Sequence, residues 1–300
     1  LQLLAPLPIA TKVPVVINGK AGAAREAKEK LAAAFDDAGI DAEIIPCDGD
    51  VCVAARRALA ARPDVLVAAG GDGTVSALAG VVRGTGTTLG VMPMGTLNHF
   101  ARDLGLPLEP AGAARVIAAG RRAAVDVGEV NGRVFFNNAS LGLYADMVHR
   151  RKRQQRRLGR SKRSAMLWAT LEVLHRSALL QLRLDLGERI QDCRSPFVFI
   201  GNNDYVLEGF NIGVRERLDA GLLNVYTTRR STALGLIGLL LRAIFGRLRQ
   251  ADDFMQESAR SLRVESRHAR LLVATDGEVN EMDMPLEFRI RPRALNVIVP

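Results

Sequence analysis

From Val13 to Pro93 the chain alternates short β-branched runs with stretches of helical periodicity, and this alternation limits the fold more than anything else in the sequence. "VPVVIN" (13–18), "AEIIP" (42–46), "DVLVAA" (64–69) and "TLGVMP" (88–93) read as strands. Between them, 23–39, 51–61 and 74–83 place apolar residues at helical spacing, and helical material continues from 94 to about Arg122. Strands joined through helices run parallel, so the pattern predicts an α/β domain with a parallel sheet and helices on both faces. Ligands of such sheets collect at the C-terminal ends of the strands.

From about Val125 the texture changes. "VDVGEVNGRVFFNNASLGL" predicts strands with a turn at Asn131-Gly132. One helical excursion follows, over about 144–179. Then come "LQLRLDL", "SPFVFIGNN", "LLNVYTT", "SLRVES", "RLLVATDGE", "PLEFRIRP" and "ALNVIVP", with turn residues between them and a helix over Ser231–Gln250. Short strands at this density predict a β-sandwich or barrel. The expected division is an α/β domain over 1–124, to which about 290–300 returns, and a β domain over 125–289.

Charge is concentrated in one place. "RRKRQQRRLGRSKR" (150–163) holds nine Lys or Arg and no acid, which accounts for the whole formal charge of +9. Such a patch suits an anionic lipid surface, a nucleic acid or a solvated helix face. Only 5% of residues are aromatic, too few stacking groups for a reader of single strands, so no nucleic-acid partner is expected. Cys47, Cys52 and Cys193 form no CxxC pair and imply neither zinc nor a redox couple. The longest apolar or glycine run, Ala233–Leu241, is far short of the roughly 20 residues that span a bilayer. "LQLLAPLPIA" lacks a basic start and is not expected to be a signal peptide. These features together predict a cytoplasmic protein, and a homodimer is left open.

The chemistry gathers at three strand ends. Gly70-Gly71-Asp72-Gly73-Thr74 joins a strand to a helix, where glycines let backbone approach a ligand and the helix start offers free N–H groups. "INGKAG" (17–22) and "MPMGTLNHFARDLGLP" (92–107) follow their strands in the same way. Taken alone, the first motif equally suits a glycine-rich turn capped by Asp72. Walker A, Rossmann and protein-kinase signatures are absent. A carboxylate in a phosphate loop is useful if a divalent cation lies between it and the phosphates, or if it orients the attacking hydroxyl.

Asn18–Gly22, Gly70–Thr74 and Met92–Arg102, with "LDAGLLNVY" (218–226) and "DGE" (276–278), resemble the superfamily of soluble bacterial diacylglycerol kinases, sphingosine and ceramide kinases and, more distantly, NAD kinases. The resemblance runs nearly end to end. It implies a nucleotide enclosed between an N-terminal α/β domain and a C-terminal β-sandwich. It places ATP on Asn18, Gly19, Lys20, Ala21 and Gly22; on Gly70, Gly71, Asp72, Gly73, Thr74, Val75 and Ser76; and on Gly95, Thr96 and Asn98. Asp72 is expected in the Mg–ATP network.

"VATDGEVN" by itself reads as a hairpin turn with solvated acids. The resemblance puts Glu278 at the general base, with Asp276 as its partner or orienter. It also implies a structural Mg²⁺ on the Arg217–Leu222 loop, held by Asp219 and by backbone carbonyls around Arg217 and Leu222. Ala220 stands where an acid is expected, and His99 where many relatives have Asp.

The implied activity is phosphoryl transfer from ATP to a primary hydroxyl of a membrane lipid, diacylglycerol first and sphingoid base or ceramide next. A nucleotide- or lipid-binding pseudokinase is the non-enzymatic alternative, which Ala220 keeps open. Arg150–Arg163 is expected to meet an anionic membrane surface, peripheral to the inner face of the plasma membrane. The apolar stripe of 232–250 suits either a core-packed helix or an interfacial one.

Overall fold

A computed structural model describes residues 1–7, 12–18, 24–142, 179–205, 215, 217–228 and 254–300. The helices expected over 144–179 and Ser231–Gln250, the basic run and Gly19–Gly22 lie outside the described residues. By its internal contacts the chain divides into two units, Leu1–Val127 with Arg291–Pro300, and Gly128–Ile290.

In the first unit, strands β2 (Val13–Asn18), β3 (Ala42–Cys47), β4 (Val65–Gly70) and β5 (Thr88–Pro93) are parallel, in the spatial order β3-β2-β4-β5. The second strand of the series therefore lies on one side of β2 and the third on the other. That reversal creates a switch point between β2 and β4, where the crossover helices diverge to opposite faces and leave a crevice at the strand ends. Helix α1 (Ala24–Asp37) packs with α5 (Pro110–Ala119), and α2 (Val51–Leu59) packs with α3 (Asp72–Val82). Alternate residues of β2 and β4 explain the two faces. Val15, Ile17, Val67 and Ala69 join Leu31, Phe35, Ala114 and Ile117 in one cluster, while Val16, Leu66 and Ala68 are equally buried on the other face.

Capping residues fix where the helices begin and end. The Asp50 side chain accepts the Cys52 N–H at 2.8 Å to start α2. Pro110 opens α5, and Gly120 closes it in the left-handed region. The short strand β1 (Gln2–Leu4) pairs antiparallel with β6 (Arg122–Val130). The end of β17 (Leu286–Ile298) adds beside β5 in parallel, Val297 opposite Leu89.

The second unit is a sandwich of antiparallel sheets. One has the order β13 (Phe254–Ala259), β12 (Leu223–Thr228), β11 (Phe197–Asn202), β8 (Asn138–Gly142), β15 (Arg270–Thr275), β16 (Glu278–Asp283). The other sets β10 (Ile190–Ser195), β9 (Leu180–Asp185), β14 (Ser261–Ser266) and the start of β17 side by side. Leu141, Ile200, Val225 and Val273 from the first sheet meet Leu184, Val264, Leu286 and Phe288 from the second in one core. The β6–β7 hairpin, with β7 at Arg133–Phe135, turns at Asn131 and Gly132, both at positive φ as a two-residue I′ turn requires.

The structure adds β1 and β13, which the sequence reading did not expect, and differs from that reading in two further respects. "PLEFRIRP" and "ALNVIVP" are one strand, β17, rather than two. It passes a residue of positive φ at Arg293, whose N–H donates to the buried Asp126 carboxylate at 2.9 Å. Strands β10 and β16 lack the apolar alternation that reveals a strand. "IQDCRS" and "EVNEMD" lie at sheet edges and are largely polar.

Candidate active site

Residues Asn18, Cys47, Gly70 and Pro93 end their parallel strands in register, so the rim of the first unit is built from four neighbouring C-termini. Asn18 is exposed there, at the end of β2 and on one side of the switch point. The glycine loop after β4 lies on the other.

Two loops on this rim are locked together by backbone. The Met94 N–H donates to the Gly70 carbonyl at 3.0 Å. A Cβ on Gly95 would fall 2.5 Å from the Gly71 Cα and 2.7 Å from the Asn98 Oδ1, so neither Gly71 nor Gly95 leaves room for a side chain between them. Gly70 is enclosed in the same way, since its added Cβ would meet Thr74 at 2.6 Å. Asn98 closes the second loop. Its Oδ1 accepts the Gly95 N–H and its Nδ2 donates to the Gly95 carbonyl, both at 2.9 Å, with Asn98 itself in the left-handed region. Gly95 and Thr96 stay exposed at the tip.

Helix α3 starts at Asp72, so the N–H groups of Asp72 and Gly73 face out of the first turn with the positive end of the helix dipole behind them. The Thr74 N–H turns back to the Gly71 carbonyl at 2.9 Å. Thr74 and Val75 are buried, so Val75 can offer a ligand only backbone; Ser76 is half-buried. The Asp72 Oδ1 accepts the Phe100 N–H at 3.2 Å, a bond 28 residues apart in sequence that ties α3 to α4 (His99–Asp103). His99 is exposed. One Asp72 oxygen thus holds the loops together, and the other is left for a ligand. A single carboxylate beside a helix N-terminus fits a magnesium ion that arrives with nucleotide phosphates and keeps its own waters.

In the second unit, Asp276 and Gly277 form the two-residue turn between β15 and β16, both at positive φ. Asp276 is not a solvated acid. Its oxygens accept the N–H groups of Phe136 at 2.9 Å, Asn137 at 2.8 Å and Asn138 at 3.2 Å. Its own N–H returns to the Asn138 carbonyl at 2.9 Å. With its lone pairs committed to backbone, it anchors the turn and is poorly placed to take a proton. Glu278 is different. Its side chain is 57% exposed and pairs through Oε2 with the Arg133 Nη2 at 2.9 Å. Arg133 also donates from Nε to the Thr275 Oγ1 at 3.2 Å. That pairing uses Oε2 and leaves Oε1 of Glu278 available.

The Arg217–Leu222 loop suits a divalent cation poorly. The Asp219 carboxylate accepts from the Arg217 Nε at 3.2 Å. Burial pushes this carboxyl up, but the Arg217 hydrogen bond together with nearby positive charge outweighs it and holds it below the usual range. Ala220 has no side-chain oxygen, and its N–H donates to the Asn203 Oδ1 at 3.0 Å. The Leu222 carbonyl accepts the Asn203 N–H at 3.0 Å. A guanidinium against the loop's carboxylate opposes a second positive charge, and hard cations need several oxygens. Among the described residues no group of three or more His, Cys, Asp or Glu gathers anywhere. Nor is any helix among them long and apolar enough to cross a membrane.

Arg133, Arg215 and the buried Asn137, Asn202 and Asn203 were not expected from the sequence. Asparagine is depleted from strands, so the doublets Asn137-Asn138 and Asn202-Asn203 beside β8 and β11 were the available signal.

Comparison with known proteins agrees with this fold. Residues 12–130 match the family model of the diacylglycerol kinase catalytic domain, and 139–299 match that of the YegS C-terminal NAD kinase beta sandwich-like domain. A Pseudomonas aeruginosa protein described as "Probable lipid kinase YegS-like" is 32% identical over 96% of this chain and 94% of its own length. A Staphylococcus aureus diacylglycerol kinase is 28% identical over 84% of this chain and 79% of its own. The crystal structure of a diacylglycerol kinase from Bacillus anthracis shares the fold with a TM-score of 0.69 at 22% identity, covering 96% of this chain and 97% of that one.

Two measurements probe these loops. Gly95→Ala must push backbone apart, so it should destabilise the protein by about 1–3 kcal/mol and weaken nucleotide binding at least tenfold. Gly73→Ala, whose methyl meets nothing within 4 Å, should leave the denaturation midpoint unchanged or raise it. Equal midpoints for Gly95→Ala and wild type would contradict the locked loops. Without nucleotide, excess EDTA should move the melting temperature by less than about 1 °C. A fall of several degrees would reveal a resident dication.

Proposed function

The chain belongs to the diacylglycerol kinase and YegS-like lipid kinase family and is a kinase, and we propose that it transfers the γ-phosphoryl group of Mg–ATP to the primary hydroxyl of a membrane lipid, diacylglycerol giving phosphatidic acid. The observation that carries this reading is the rim of the first unit. Two glycine loops in backbone contact, a helix N-terminus and one acid with an uncommitted oxygen lie beside a topological switch point. Such an arrangement suits nucleotide phosphates accompanied by a cation.

The roles divide by what each carboxylate already holds. Asp72, bound once to Phe100, faces the nucleotide end. It supplies negative charge to the magnesium that ATP carries, while the N–H groups of Asp72 and Gly73 take phosphate oxygens. Glu278 serves the acceptor end. The lipid oxygen bonds to the γ-phosphorus as the bond from phosphorus to the β,γ-bridging oxygen breaks. The hydroxyl proton passes to the Glu278 carboxylate, and ADP departs. Arg133 keeps that carboxylate turned one way while Oε1 works. Asp276 orients the turn and takes no proton.

The nine cations of Arg150–Arg163 support a membrane-borne substrate and a peripheral position at the inner face of the plasma membrane. Each Lys or Arg near an anionic surface contributes about 1 kcal/mol.

Transfer of label from ATP to diacylglycerol, monoacylglycerol, ceramide, sphingosine and NAD tests the substrate class. Diacylglycerol should be the best acceptor, and no transfer to any lipid would defeat the reading. Glu278→Gln should lower kcat about 10²–10⁴-fold with nucleotide affinity kept. Asp72→Asn should lower kcat and also change the Mg²⁺ dependence of nucleotide binding. If Asp72→Asn left the metal dependence intact, its carboxylate would be serving the acceptor instead. On vesicles, replacing several arginines of 150–163 with glutamine should weaken binding to anionic but not neutral surfaces, and salt should mimic the change. Binding indifferent to salt and lipid charge would refute the membrane role of the run.

A further inference from the structure

Arg215 is 4% exposed, whereas the other described charged side chains of its unit sit largely at the surface. Its Nη1 donates to the Phe136 carbonyl at 2.6 Å and to the Asn202 carbonyl at 3.3 Å, and its Nη2 donates to the Asn137 Oδ1 at 2.9 Å. Its guanidinium lies 5.5 Å from the centre of the Tyr205 ring. Tyr205 is itself clamped, since the Tyr226 hydroxyl accepts its N–H at 3.0 Å and donates to its carbonyl at 3.2 Å. Burial pushes the Tyr226 hydroxyl up to about 12, so it keeps the proton it donates.

One peptide lies between two opposite charges. The Phe136 carbonyl faces Arg215, and the N–H of the same peptide, on Asn137, faces the Asp276 Oδ1 at 2.8 Å. A cation at the oxygen and an anion at the hydrogen both align with the peptide dipole, so each strengthens the other's bond. Asn202 adds a second donor to the Phe136 carbonyl, from Nδ2 at 2.9 Å, and its N–H takes the Asn137 carbonyl at 2.9 Å. The 136–138 segment is thus gripped from both sides. The grip on the Asp276 side also fixes the turn that presents Glu278.

We propose that Arg215 is a positioning residue for Glu278, acting through the Phe136–Asn137 peptide and Asp276. The catalytic part rests on the reading of Glu278 as the proton acceptor; the structural part does not. Loss of Arg215 frees the Phe136 carbonyl from its strongest donor, and the turn gains freedom just where a carboxylate oxygen must meet a hydroxyl.

The test uses the full chain with Arg215→Lys, which keeps the charge but not the fork, and Arg215→Met. Hydrogen exchange is followed at the Asn137 and Asn138 amides, and kcat, nucleotide affinity and melting temperature are measured beside it. Arg215→Lys should speed exchange at those amides at least tenfold and lower kcat about tenfold, with nucleotide affinity within about twofold of wild type. In the Glu278→Gln background the same change should alter kcat less than about twofold, because the group it positions is already disabled. A full tenfold loss in that background would overturn the proposal, as would unchanged exchange. Should wild type phosphorylate no lipid, the kinase reading fails, and exchange at Asn137 and Asn138 still decides whether Arg215 holds the turn. Should Arg215→Met fail to fold, Arg215→Lys carries the test.

Discussion

The first unit depends on two backbones approaching where side chains normally stand between them. Gly71 and Gly95 close the gap between the loop after β4 and the loop after β5. Once they do, the remaining bonds follow from geometry. Met94 reaches the Gly70 carbonyl, and Asp72 reaches the Phe100 N–H. Hydrogen bonds to backbone groups thus hold these two loops together. Preorganised N–H groups are what phosphoryl transfer needs, since most of its catalysis is positioning and charge neutralisation. A loop that ordered only on binding would spend part of the binding energy on its own entropy.

Three carboxylates in this protein share a chemistry and differ in the number of donors each satisfies. Asp276 accepts three backbone N–H groups, Asp72 accepts one, and Glu278 accepts an arginine at the surface. An acid with every lone pair occupied is a structural pin. One with an oxygen to spare can bind a cation or take a proton. The difference in partners between Asp276 and Glu278, two residues apart, follows from which of them faces the 136–138 backbone. Positive φ at Asp276 and Gly277 turns the first carboxylate inward and leaves the second on the outgoing strand.

The alternating strands and helices, the glycine loops and the I′ turn at Asn131-Gly132 were legible in the sequence because each is a local pattern with a local cause. The register that brings Asn18, Gly70 and Pro93 to one rim follows from the parallel topology. Residues whose meaning comes from distant partners were not legible. Arg215 carries no periodic signal, and two of its partners, Phe136 and Asn137, lie 79 and 78 residues away. Arg133 looked like an ordinary hairpin residue until Glu278, 145 residues on, appeared beside it. The polar edge strands β10 and β16 were missed for a related reason, because an edge facing water needs no apolar alternation.

The loop from Arg217 to Leu222, where the sequence reading expects an acid, is held by hydrogen bonds. Where an acid is expected, Ala220 offers only its N–H. Asn203 takes that N–H with its side-chain oxygen and gives its own N–H to Leu222. One residue thereby closes the loop at both sides of Gly221, from a fully buried position in the left-handed region. Arg217 meanwhile neutralises Asp219. Directional hydrogen bonds can fix a loop of this size without a cation, provided that they are shielded from water, and Asn203 is. Asn203 also donates to Asn202 at 3.3 Å, which in turn holds Phe136 and Asn137. The loop and the Glu278 turn therefore share one buried polar network.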